Sequence, residues 1–555
     1  MSTILIRGGT VVDGTGVPGV RADVLVADGR IASVGPDLPI DGVDTVLDAA
    51  GCVVAPGFID IHTHYDAQVF WDPGLTPSCF HGVTTVVAGN CGFSIAPTRP
   101  EHRDLIARTL ENVEDMDVAA LAAGVPWDFA SFPEYLESVG RLPLGLNFTA
   151  YVGHTALRLY VMGDDAYERA ATPDEVDQMC AVLAEAIEAG AAGFATSVAP
   201  THRGAEGKPV PSRFAERAEL EALFAVVGAA GRGVVEVTPG QTLPPDDIYD
   251  LQIATGVPFT MTALLSMPTG SHRRIVELNR AGWARGAQVW PQVTPRPLAF
   301  AMTLAEPFTL NVNPHFAELM SASVDVRRKA YEDQPWRDEA LTWWDTATGL
   351  IPRWDTYEIA ESAAHPELEG RRLDDLAAER GCRPFDVMLD LALDEPDLLL
   401  RVRCILANDD PVEVGALLTE EHVALGLSDA GAHVGQLCDA PQATDLLGNW
   451  VRDRGVMSVE DAVHRLTKSQ ADLFGLVDRG ELRPGAWADV VVFDPATVAP
   501  GPVRRIADFP AGSERLTADA PEGVRHVLVN GVPIRIDEQQ VEAGGPGRMV
   551  APGRP

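Results

Sequence analysis

Eight apolar, strand-like runs alternating with helical patterns predict an α/β protein built on a distorted TIM (β/α)8 barrel. Two further observations extend this expectation. Short strands with turn signals fill residues 3 to 54, and a comparable pattern returns near the other end, so both termini are expected to pair into a small β-sandwich domain. At 555 residues the chain also exceeds one ordinary core, which suits a large barrel carrying an accessory domain.

Taken in order, Thr3 to Arg7, Ala22 to Ala27 and Arg30 to Val34 read as strands punctuated by Gly8-Gly9 and Asp28-Gly29. Their counterparts are Ala488 to Phe493 and the run Arg525 to Gly531; two separate β tails would leave long exposed strand edges. The expected domains are therefore 1–54 plus 478–545 for the composite β unit and 55–477 for the barrel. The barrel runs end near His64, Cys91, Gly153, Val198, Thr238, Leu264, Thr294 and Asp429. One helix between them is fully legible: Thr172-Pro173-Asp174-Glu175 is a capping box with proline at the first helical position, and Val176, Met179, Cys180, Leu183 and Ile187 form one apolar stripe before Gly190. Segments 101–145 and 301–397 exceed ordinary βα connections and read as insertions at the active face. Trp336, Trp343, Trp344 and Trp354 in the second either line an aromatic pocket or pack the insertion, and packing is the reading we favour.

Hydrophobic residues make up 46% and charged ones 22%, a globular composition. The net charge of −37 repels phosphate backbones and anionic lipid, so neither nucleic acid nor membrane is an expected partner; a homo-oligomer is left open. Seven scattered cysteines without a C-x-x-C, and no charged-then-apolar leader, read as a reduced cytoplasmic protein. No apolar run reaches the ~20 residues that span a bilayer.

The chemistry concentrates at predicted strand ends. On a strand, His62 and His64 share one face with Phe58 and Asp60, so two imidazoles converge on one point, where neutral imidazole is the commonest metal ligand. Cys91, followed by Gly92, and Asp429, after Val423 to Ser428, also end strands; a thiolate suits zinc, and a carboxylate there can touch both a metal and its water. Each has a plainer reading, as an inert buried cysteine or a helix-capping aspartate. His154, His202, Arg213 and His433 fall in loops at the same face and are weaker candidates for substrate contact, arginine because its planar fork matches a carboxylate.

The approach Val53 to Asp60 followed by His62-Thr63-His64 resembles the first barrel strand of the amidohydrolase superfamily. Gly82 to Gly92, with its Gly89-Asn90-Cys91-Gly92, is similar to the second strand of the D-aminoacylase (N-acyl-D-amino-acid deacylase) branch, and the likeness continues through Tyr151 to Arg158, Ser428-Asp429 and Leu482 to Asp494. The resemblance implies a hydrolase cleaving the C–N bond of an N-acyl amino acid, small peptide or related amide with metal-activated water, Cys91 as a zinc ligand and Asp429 as the proton shuttle. It fails at the fifth and sixth strands, where the branch carries zinc-binding histidines and this chain has Thr238 and Ala263. With lysine only at 208, 329 and 468, a carboxylated-lysine bridge is not expected either. Three readings follow: one divalent metal, zinc, per chain on His62, His64 and Asp429 with Cys91 or Glu236 completing it; replacement histidines from His202, His272 or His315; or a metal-free binding or scaffold protein. We rank them in that order, beside the alternative that the enzyme acts on another bond, such as a cyclic amide, a deamination or a C–C bond.

Overall fold

The computed structural model describes residues 3–204, 207–320, 322–347 and 351–553. The barrel strands are Phe58–Asp60, Val83–Ala88, Asn147–Gly153, Gly193–Ser197, Val234–Thr238, Phe259–Met261, Val289–Val293 and Ala424–Leu425. They form one eight-stranded sheet in chain order. Every residue of Val83–Ala88 and Asn147–Gly153 is buried, as expected of strands covered on both faces. Between the first and eighth strands the barrel is closed beyond their ends: Thr63 bridges Ala430, His64 N donates to Ala430 O at 2.7 Å, and Ser428 Oγ donates to His62 O at 2.8 Å. The contacts that complete the barrel thus flank His62, His64 and Asp429.

The small β unit is a nine-stranded sheet drawn from both ends of the chain. Its two halves meet where Val53–Pro56 runs antiparallel to Val490–Phe493, with Val54 opposite Val492. Val53–Pro56 passes into the first barrel strand through Gly57, where an added Cβ would lie 2.2 Å from Thr84 Oγ1, so a side chain has no room at this crossing. Asp489 fastens the same junction. Its carbonyl accepts Gly57 N at 2.9 Å, Oδ1 accepts Asn530 N at 2.7 Å, Oδ2 accepts Asn147 Nδ2 at 3.2 Å, and Arg479 pairs with the carboxylate.

The helix read from its capping box spans Pro173–Ala189, with both reciprocal Thr172–Glu175 bonds and Gly190 left-handed at φ 111°. The longest insertion builds a three-stranded sheet, Arg401–Ala407 between Leu298–Thr303 and Glu358–Glu361, with an apolar core separate from that of the barrel. Trp344 lies 5.9 Å from Phe316, 5.7 Å from Phe385 and 5.8 Å from Trp354, so Trp344 and Trp354 pack the insertion rather than line a pocket. Asn408 ties the insertion's root to the barrel, donating to Thr294 O at 2.9 Å and accepting Ser266 N at 3.0 Å. The earlier insertion contributes the helices Arg103–Glu114, Val118–Gly124 and Phe132–Gly140. No described helix is long and apolar enough to cross a membrane.

Candidate metal centre

His62 and His64 follow the first barrel strand with their rings 5.4 Å apart. His62 Nε2 lies 3.0 Å from Asp429 Oδ1 and 3.6 Å from Cys91 Sγ, and His64 Nε2 lies 3.8 Å from the same Asp429 oxygen. Donor atoms of His62, His64 and Cys91 all fall within 4.8 Å of one another, the one such trio among the described residues. Cys91 and Asp429 both occupy left-handed backbone, at φ 56° and 45°. For a side-chain-bearing residue this costs of order 1–3 kcal/mol, and it persists where surrounding contacts impose it. At Asp429 the next turn is pressed against the first strand, since a Cβ on Gly431 would lie 2.7 Å from His64 O.

At Cys91 the constraint comes from Glu236, on the fifth strand. Glu236 Oε2 accepts Cys91 N at 2.9 Å, while Oε1 accepts Thr262 Oγ1 at 2.6 Å and Thr238 Oγ1 at 3.4 Å. Glu236 therefore sits behind Cys91 with both oxygens engaged. Thr238 is half-buried and Ala263 exposed, and neither position brings an imidazole to the ends of the fifth and sixth strands. His62 has its own support: Gln292 Oε1, from the seventh strand, lies 2.6 Å from Nδ1 and leaves the Nε2 lone pair facing Cys91 and Asp429. Gly426 makes this reach available, because a Cβ there would lie 2.3 Å from Gln292 Oε1. His64 is met on its Nδ1 side by Glu114 Oε1 at 3.1 Å. Two imidazoles, a sulfur and a carboxylate converging in this way are a zinc-type donor set, and they fit a divalent ion.

Burial by itself would depress both imidazoles. For His62 the Cys91 sulfur and Asp429 outweigh it, and for His64 Glu114 and Asp429 do, so both are held well above the ordinary value. Burial would raise Asp429, yet the two histidines hold its carboxyl well below the usual range. Glu236, buried without a basic partner in contact, is raised.

Around this group the other candidates divide. His202 follows the fourth strand with Nδ1 2.6 Å from Ser197 Oγ and its ring 5.2 Å from Phe93; burial pushes it down to about 4, against the pull of Glu114 and with the push of His433, His64 and Arg213. Arg213 donates to His202 O at 3.2 Å. His433 sits edge-on to Phe300 at 5.2 Å, where the large insertion meets the loop after Asp429. His154 lies elsewhere: it is fully buried, with Nδ1 2.8 Å from Thr196 Oγ1 and Nε2 2.8 Å from Glu219, which also pairs with Arg158. That closed network gives His154 no face toward the centre. His272 is likewise occupied by Glu413 and Met267 N, and His315 stays on the insertion beside Asn313, so neither replaces a missing ligand.

Sequence reasoning passed over Gln292 and Glu114. A lone polar residue inside the run Val289-Trp290-Pro291-Gln292-Val293 was a signal of the same kind as Glu236 in Val234-Val235-Glu236-Val237. Glu114 had none, standing in an acidic stretch with Glu111, Asp115 and Asp117.

A family model described as "Amidohydrolase family" matches residues 45–535. The chain is similar to the D-aminoacylase of Alcaligenes xylosoxydans xylosoxydans, with 32% identity over 563 residues covering 99% of this chain and 97% of that one. Among solved structures it is similar to the N-acyl-D-glutamate deacylase of Bordetella bronchiseptica, complexed with zinc and a phosphonate that mimics the tetrahedral intermediate, at 30% identity, TM-score 0.68 and 99% of both chains. A D-aminoacylase with a binuclear metal centre, described as showing one-metal activation and second-metal attenuation, aligns at 28% identity, TM-score 0.67 and again 99% of both chains. With the family model spanning most of its length and a relative matched nearly end to end, the chain belongs to the amidohydrolase family.

Proposed function

We propose that this chain is a metal-dependent hydrolase that cleaves the amide C–N bond of an N-acyl amino acid, small peptide or related amide, with one divalent ion, zinc, per chain. The observation that carries this reading is the convergence of His62 Nε2, Cys91 Sγ and Asp429 Oδ1, with His64 beside them. Those four residues would hold the ion. When bound, it supplies a Lewis acid that polarises the amide carbonyl and lowers the pKa of water from 15.7 toward ~7. Asp429, with Oδ1 3.0 Å from His62 Nε2 and 3.8 Å from His64 Nε2, would accept the proton of the attacking water and return it to the leaving nitrogen. Glu236 positions Cys91 through its backbone N–H. His202, Arg213 and His433 stand around the mouth, where Arg213 suits a substrate carboxylate.

A single ion is supported by Thr238 and Ala263, which bring no ligand from the fifth and sixth strands, and by Glu236, whose carboxylate accepts Cys91 N and Thr262 Oγ1. The zinc in the related deacylase supports zinc as the ion, and the one-metal activation described for a binuclear D-aminoacylase supports one ion as sufficient for the chemistry. Seven unpaired cysteines suit the cytoplasm, and a net charge of −37 suits a small-molecule substrate over nucleic acid or membrane.

The test is metal content per chain by mass spectrometry on protein purified without added metal, beside a His62→Ala, His64→Ala double variant and an assay of Asp429→Asn on a panel of N-acyl D- and L-amino acids. About one equivalent, lost in the double variant, and a fall in kcat of roughly 10²–10⁴-fold in Asp429→Asn are expected. Two equivalents would refute the single site. No metal in the wild type, with none gained on incubation with divalent ions, would refute the mechanism.

A further inference from the structure

The helix Arg103–Glu114 buries Ile106, Leu110 and Val113 along one face, and Glu114 is buried with them. A carboxylate is badly placed there. Its burial removes water from a charge, and the last turn of a helix is the negative end of the macrodipole, which disfavours an acid. Helix stability therefore does not account for Glu114, and only a specific partner offsets the cost. That partner is His64: Oε1 lies 3.1 Å from Nδ1 as a buried ion pair, with the two side chains 3% and 5% exposed, and neither atom is otherwise satisfied by a hydrogen bond. The backbone holds the pair in place. The helix stops at Asp115 in left-handed conformation, φ 54°, whose Oδ2 accepts Gly435 N at 2.9 Å, while Glu114 O accepts Val434 N at 3.3 Å. The helix end is thus clipped to the loop that follows Asp429.

We propose that Glu114, supplied by the insertion and not by the barrel, is a positioning residue for His64: its carboxylate holds the Nδ1 side of the ring so that Nε2 faces Asp429 and the metal. The proposal rests on the metal-centre reading above. An imidazole whose Nδ1 proton is held by a carboxylate has a fixed tautomer and a more basic Nε2, and loss of such a partner typically weakens metal affinity 10–100-fold. His62 is backed on the same side by the neutral amide of Gln292, so the two histidines are unequal ligands and His64 is the more electron-rich.

The experiment compares wild type, Glu114→Gln and His64→Ala as full-length protein. It reads zinc affinity by chelator competition, the visible absorption of the cobalt(II)-substituted protein, and the thermal midpoint of the metal-stripped protein. Glu114→Gln is expected to weaken zinc binding about 10–100-fold and to shift the cobalt bands, with the stripped protein still melting in a single cooperative transition. Affinity within twofold of wild type and unchanged bands, while His64→Ala loses the ion, would overturn the proposal and leave the metal centre standing. Retention of the ion by His64→Ala would overturn the metal-centre reading and the proposal with it. Should Glu114→Gln not fold, Glu114→Asp is measured in its place, with a smaller loss in the same direction expected and wild-type affinity counting against the proposal.

Discussion

His81 is fully buried just before the second barrel strand, with Nδ1 2.8 Å from Thr444 Oγ1 and Nε2 2.7 Å from Ala518 O. Burial pushes its imidazole down to about 4 from an ordinary 6.5. Between those values the unfolded chain binds a proton that the folded chain refuses, so this residue makes stability rise with pH across the window and removes roughly 3 kcal/mol between neutral pH and pH 4. Buried Asp60 and Asp66, raised to about 6 and about 7, act with the opposite sign: the folded state keeps their protons after the unfolded state has lost them. The difference between wild type and His81→Gln isolates the histidine. Urea midpoints taken from pH 4 to 7 should show a shallower acid-side loss in the variant; parallel curves would mean that His81 titrates normally.

At the scale of the element, the large insertion has a core of its own and meets the barrel through Asn408 and the aromatic contact at His433. Phe316, Tyr331, Trp344, Tyr357 and Phe385 are buried there. Trp344→Ala should cost about 3–5 kcal/mol locally. Because that core is separate from the barrel's, hydrogen exchange should rise over residues 298–407 while barrel strands such as Val83–Ala88 keep their protection. Uniform loss across the whole chain would show instead that insertion and barrel unfold as one unit.

For the molecule as a whole, Asp489 is the point where terminal sheet and barrel are fastened, since it joins Gly57 before the first barrel strand, Asn147 at the start of the third, and Asn530 and Arg479 of the closing segment. Arg479 and Asp489 are both buried. Removing one charge of such a pair leaves the other uncompensated, so Asp489→Asn should lower global stability by about 3–5 kcal/mol. The denaturation midpoint checks this, with metal content as a second readout expected to stay at the wild-type level because the junction lies at the opposite end of the strands from His62.

Much of this protein was legible in its sequence for a local reason: hydrophobic period and turn residues act over a few positions. All eight barrel strands, the helix between Thr172 and Gly190, and the pairing of the two ends into one sheet could be read in that way. So could the proximity of His62 and His64, which stand two residues apart just beyond the first strand with their rings 5.4 Å apart. What joins them was decided only in three dimensions. Glu236 was read as a candidate ligand and stands behind Cys91; His154 was read as a substrate contact and closes a buried network with Glu219. Gln292 and Glu114 reach the same two histidines from a strand and an insertion far away in sequence, and no local pattern reports which distant acceptor will face a ring nitrogen. The chain's own order thus determined where the two histidines stand. Packing across the barrel decided what holds them there, because hydrogen-bond partners are chosen by proximity after folding and not by spacing along the chain.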